Sequence, residues 1–129
     1  MGQQQLLLIV LGVIIVGIAI VVGINLFQAS AVQSNRDAVV ADLNNLASQA
    51  QMYYKKPASL GGGGNKYTGF TIPTGMSTNA NGTYTIDAAA DAQITIVGEG
   101  METGNDNSGK IKYTITVKPT VNPSVALNN

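Results

Sequence analysis

From Leu6 to Ile24 the chain carries nineteen residues without a polar side chain, fifteen of them Leu, Ile or Val, interrupted only by Gly12, Gly17, Ala19 and Gly23. A helix of that length spans roughly 28 Å at about 1.5 Å per residue, close to the hydrocarbon thickness of a bilayer. Leu, Ile and Val each favour insertion by roughly 0.3 to 0.6 kcal/mol at a helix centre, which outweighs the cost of a few glycines. The pattern predicts a membrane-spanning helix. Beyond it the pattern changes without a break, since no Pro occurs before Pro57. Apolar residues fall at Val32, Val39, Leu43, Leu46, Ala50 and Tyr53, with Val40, Ala47 and Tyr54 alongside. Steps of four and three from Val39 onward mark one face of a helix. Arg36, Asp37, Asp42, Asn45, Ser48 and Gln49 are expected on the other, solvated face. Lys55 and Lys56 suit the negative end of the helix dipole, and Pro57 disfavours helix at the residue before it. One helix of about fifty residues is expected, far longer than the average of about a dozen.

After Pro57 the composition turns to Gly, Asn and Thr, and the period drops to two. In Lys110 to Lys118, Ile111, Tyr113, Ile115 and Val117 alternate with Lys112, Thr114 and Thr116, the signature of a half-buried antiparallel strand. Gln93 to Gly98, Thr83 to Asp87 and a shorter Tyr67 to Ile72 are further strand candidates. Asn81-Gly82 and the run from Gly104 to Gly109 are turn signals, because Gly and Asn accept positive φ most readily. The four-glycine run Gly61 to Gly64 reads as a flexible connector.

The resulting fold class is α+β: a long N-terminal α-helix, first apolar and then amphipathic, packed against a small antiparallel sheet of three to four strands. Its expected divisions are an apolar transmembrane or filament-core helix over 1–27, the amphipathic half of the same helix over 28–56, a Gly-rich connector over 57–66 and a sheet head over 67–129. Helix-to-sheet packing is expected from Val39, Leu43, Leu46, Ala50 and Tyr53 on one side. Ile94, Ile96, Ile111, Tyr113, Ile115 and Val117 are expected on the other.

Charge and composition then remove function classes. Seven basic and seven acidic residues leave no net charge, so the basic surface that neutralises nucleic-acid phosphates is missing and no nucleic-acid partner is expected. Neither His nor Cys occurs, which removes the commonest general base, the commonest metal ligand, the thiol nucleophile and any disulfide. The chain reads as a non-enzyme with no cofactor and no metal site. Gly104 to Lys110 has phosphate-loop spacing, but Ile111 stands where Ser or Thr would reach magnesium, and a strand follows where a helix should. Asp87, Asp91, Glu99, Glu102 and Asp106 match no calcium-loop signature and read as solvated surface. Asn81-Gly82-Thr83 is a glycosylation-type sequon on an expected turn. The five tyrosines read as core or subunit-contact residues.

Two readings of the arm need no partner copies. Ala29-Ser30-Ala31 has the small-x-small form of a signal-peptidase site, although the start carries no basic side chain and the apolar stretch exceeds the usual length of a signal. An ordinary single-pass anchor bearing a binding head is the other. Orientation is not set by flanking charge, because the first basic residue is Arg36.

With a near-terminal Gly2, a long apolar arm, its amphipathic continuation and an antiparallel sheet to follow, the chain resembles the type IV pilin family over essentially its whole length. The resemblance implies a subunit that sits in the inner membrane by its arm, with its head outside. It also implies cleavage after Gly2 by a prepilin peptidase, leaving Gln3 first, and extraction by pilus assembly machinery into a cell-surface homopolymer. A minor pseudopilin of a type II-like secretion system shares the anatomy. Only Met1 precedes Gly2, where the family has a basic leader, and Leu7 stands where it has a glutamate. Register between copies is then expected from apolar packing and from Gln3, Gln4 and Gln5. The expected filament-core residues are Leu6, Leu7, Leu11, Ile14, Ile15 and Ile18, continued by Val21, Val22, Ile24 and Phe27. A helix apolar on every side must be surrounded by other apolar surface once it leaves lipid, and identical copies supply it in a head-to-tail array.

Overall fold

The computed structural model describes residues 2–104 and 109–128. Helix α1 runs Gln3–Lys55, 53 residues, with no proline inside it. Two compact units divide the chain, Met1–Gln33 and Ser34–Asn129, so the second half of α1 belongs to the head. Within the head α1 buries Val39, Leu43, Leu46, Ala47 and Ala50, the stripe that its apolar period dictates.

The helix ends in an ordered cap. The last carbonyls of a helix lack internal partners. Here Gly63 N donates to Tyr53 O at 2.8 Å, Asn65 N to Tyr54 O at 2.8 Å and Gly64 N to Lys56 O at 3.0 Å. The glycine run thus folds back onto the helix end as its cap, where a flexible connector was expected. A 3₁₀ turn at Ala58–Leu60 starts that return.

Five strands follow: β1 Thr78–Asn79, β2 Gly82–Ala89, β3 Ile94–Thr103, β4 Lys110–Val117 and β5 Ser124–Leu127. Their spatial order is β1-β2-β3-β4-β5, each neighbour antiparallel, so the sheet is a meander. Two strands exceed what alternation reveals: β1 is two residues long, and β5 lies beyond a loop bracketed by Pro119 and Pro123. Tyr67 to Ile72 is not a strand. Phe70 N bonds Tyr67 O at 3.1 Å and Gly69 has φ +90°, which turns the backbone there. Tyr67 and Phe70 are nevertheless buried. A short helix α2, Thr74–Ser77, precedes β1, and Gln49 Nε2 donates to Met76 Sδ at 3.0 Å, so Gln49 is not simply solvated.

The turn between β1 and β2 is centred on Ala80 and Asn81, with Asn79 paired to Gly82, so Gly82 opens the strand. Most of the turn expected over 104–109 lies outside the described residues, as does Asp106.

The inner row of β3 is Ile94, Ile96, Gly98 and Gly100, all buried. A Cβ on Gly98 would lie 3.0 Å from the Tyr84 ring and from Val39, and one on Gly100 would lie 2.3 Å from Asn35 Oδ1. Loss of side chains along that row lets α1 approach the sheet at Asn35 and Val39. Burying each large aliphatic residue in this core stabilises the head by about 1.5 to 3 kcal/mol relative to exposure.

Candidate assembly surface and its supporting latch

Helix α1 is the one described helix long and apolar enough to cross a membrane. None of its most apolar stretch is buried among the described residues. Among the arm residues Leu6, Leu7, Leu11, Ile14, Ile15, Ile18, Val21, Val22, Ile24 and Phe27, exposure runs from 51% at Val22 to 79% at Phe27. These residues occur on every side of the helix, because fifteen of nineteen consecutive positions are Leu, Ile or Val. A Cβ at Gly12, Gly17 or Gly23 would meet nothing within 4 Å, so no contact among the described residues requires glycine there. Each glycine weakens the helix by about 1 kcal/mol relative to alanine. Gly2 is exposed and lies just outside the helix, its carbonyl accepting from Leu6 N at 3.1 Å, while Gln3 is the first helical residue.

The helix–sheet residues meet in one core. Val39, Leu43, Leu46, Ala50, Ile94, Ile96, Ile115 and Val117 are buried in it, with Tyr53 and Tyr113 half-buried against it, and Ile111 is also buried. Ala47, which the helical pattern sets alongside that stripe, joins the core, as do Tyr67 and Tyr84, expected as core or subunit-contact residues, and Phe70, which no pattern singled out. Tyr54 and Tyr67 stack with ring centroids 4.7 Å apart, and Tyr53 meets Phe70 edge-on at 5.5 Å. The hydroxyl of Tyr67 is buried without a hydrogen-bond partner among the described residues.

A polar latch flanks the core. Tyr84 Oη donates to Asp42 Oδ2 at 2.5 Å, and the side-chain amides of Asn79 and Asn81 each donate to the same oxygen at 3.1 Å. One helical residue thereby gathers three donors from the β1–β2 hairpin. Two turns earlier, Asn35 Nδ2 donates to Asn81 O at 2.8 Å, and Asn35 Oδ1 accepts from Met101 N at 2.9 Å and Glu102 N at 3.2 Å. Asp42 is therefore a sheet-binding residue, where the helical period put it on the solvated face. The signal that would have found the pair is their separation of seven, which places Asn35 and Asp42 on one face with Val39 between them.

Burial opposes ionisation of Asp42, but hydrogen bonds from Tyr84, Asn81 and Asn79 outweigh it and hold the carboxyl below its ordinary pKa. Burial, the bond to Asp42 and its charge push the Tyr84 phenol far above its ordinary value.

Among the described residues the acidic stretch does not converge. Asp91 pairs with Lys66 at 3.8 Å and accepts from Thr68 Oγ1 at 2.7 Å, while Glu99 pairs with Lys112 at 3.6 Å across β3 and β4. Among the described residues no group of three or more Asp and Glu is placed to hold a metal ion. The phosphate-loop spacing falls on a strand entry, with Lys110 opening β4 and Ile111 buried. The outer face of the sheet is an open, hydroxyl-bearing groove lined by Thr83, Thr85, Val97, Glu99, Lys112 and Thr114 among others. No protein-family model, curated protein or solved structure matches this chain.

Proposed function

We propose that the chain is a structural subunit of an extracellular, type IV pilus-like filament, held in the membrane by α1 before assembly and polymerising through that same helix. The observation that carries this reading is the exposure of the arm, where Leu6 to Phe27 present large apolar side chains on all sides and more than half of each remains uncovered. In water such a surface attracts other apolar surface at about 25 cal/mol per Å² buried. Lipid satisfies it in one state, and the arms of neighbouring copies satisfy it in the other. Gly12, Gly17 and Gly23 fit close approach between such arms, since they weaken the helix and serve no contact among the described residues. The exposed Gly2–Gln3 bond at the helix lip is the position at which a prepilin peptidase would cut.

Shearing cells that express the chain should release fibres whose subunits, by mass spectrometry, retain Leu6 to Ile24. Val16→Asp should abolish those fibres while the variant still accumulates in the membrane fraction, because an uncompensated carboxylate in an apolar filament core costs several kcal/mol. Recovery of the wild-type chain solely as membrane monomers, or normal fibres from Val16→Asp, would defeat the reading.

A further inference from the structure

We propose that Asn81–Gly82 is a self-cyclising modification site, at which an asparagine amide is lost to the following backbone nitrogen, and that the latch on Asp42 keeps it unreacted while the head is folded. Asn81 is the one asparagine in the sequence followed by glycine, the neighbour that least obstructs such a ring closure. In the reaction the Gly82 nitrogen, after losing its proton, forms a bond to Asn81 Cγ. The Cγ–Nδ2 bond breaks and ammonia leaves with that proton, giving a five-membered imide. Water then opens the imide at either carbonyl, yielding aspartate at 81 or its isomer with the chain running through Cγ. No oxidant, reductant or second protein is required.

The fold restrains each participating group by a separate tie. Gly82 N–H donates to Asn79 Oδ1 at 3.2 Å, which occupies the nucleophile's proton. The Asn81 amide is turned toward Asp42 Oδ2 at 3.1 Å, and the Asn81 carbonyl is held by Asn35 Nδ2 at 2.8 Å. Bringing the Gly82 nitrogen to Asn81 Cγ therefore requires the hairpin to release from α1 first. The product does not relatch. Where Asp42 had an amide donor it would face a second carboxylate, and the isomer would add a backbone carbon between Asn79 and Gly82, which are paired in the ladder. The site is thus a one-way marker of head opening.

Mass spectrometry of the full chain in detergent micelles, held in mildly alkaline buffer, tests this directly. Exchange of an amide for a carboxyl is located by peptide mapping, and the isomer is detected by enzymatic isoaspartyl methylation. Conversion at Asn81 should be at least roughly tenfold slower in the folded chain than in denaturant, a factor equivalent to an opening cost of about 1.4 kcal/mol. Asn79→Ala, which removes the side-chain acceptor of the Gly82 N–H, should speed conversion several-fold in the folded chain, and Asn81→Gln should suppress it. Asn81→Asp should accelerate amide exchange at Gly82 and Met101 relative to the wild type. Equal rates in folded and denatured chains, an unchanged rate in a folded Asn79→Ala variant, or conversion centred on another asparagine would each overturn the proposal.

Discussion

Asp42 on helix α1 and Tyr84 on strand β2, separated by 42 positions, share a 2.5 Å hydrogen bond in which the phenol donates to the carboxylate. The bond ties the head's stability to pH in two windows of opposite sense. Asp42 has a lowered pKa in the fold, so its contribution is present above the carboxyl's unfolded pKa of about 4 and is lost as pH falls through the folded value. Tyr84 has a raised one, so its contribution is present below the unfolded phenol value of about 10 and declines as pH rises beyond it. Thermal melts of the chain in detergent should show a plateau between these limits. Asp42→Ala should flatten the acid limb and lower stability by about 1 to 3 kcal/mol, since it leaves Tyr84 and two amides without their shared acceptor. An acid limb of unchanged steepness in that variant would place the titration elsewhere.

Gly100→Ala tests the close approach of α1 to β3. The added methyl would sit 2.3 Å from Asn35 Oδ1, the atom that accepts from Met101 N and Glu102 N. Relief requires Asn35 to swing away and surrender both bonds, so a loss of about 1 to 3 kcal/mol is expected. Combining it with Asn35→Ala should cost less than the sum of the two single changes, because both break one contact. Denaturant titration of the four chains gives the coupling. Additive losses would mean that the methyl strains the sheet and not the latch.

The sequence announces those parts of this fold that depend on period. The apolar run, the four-and-three stripe from Val39 to Ala50, and the alternation of Ile111 to Val117 are repeated local signals, and each corresponds to an element of the structure. What stays hidden lacks a repeat. Glycine at 98 and 100 looks like the end of a strand, yet β3 continues to Thr103, because an inner row packed closely against a helix needs no side chains. Asp42 looks solvated because its three partners lie 37 to 42 residues away, on a hairpin whose first strand has only two residues. The glycine run reads as slack because a helix cap made from backbone amides leaves no side-chain signature. The arm's length and its apolar character on every side are legible in the composition, whereas its exposure is seen only in the structure.

Tyr67→Phe should leave the head's stability unchanged or raise it. The Tyr67 side chain is wholly buried, its ring stacked on Tyr54, yet its hydroxyl has no hydrogen-bond partner among the described residues. Burying an unpaired hydroxyl costs about 1 to 3 kcal/mol by the measure of comparable protein substitutions, and phenylalanine removes that group while keeping the ring. Tyr53 offers an internal comparison, because its hydroxyl donates to Thr68 O at 3.0 Å. Tyr53→Phe should therefore lose about 0.5 to 1.5 kcal/mol, the net worth of an ordinary hydrogen bond. Paired thermal melts of the two variants decide the matter. Opposite signs, or a neutral change at 67 beside a loss at 53, match the hydrogen bonding seen here, whereas a loss at both positions would show that the Tyr67 hydroxyl is bonded in solution.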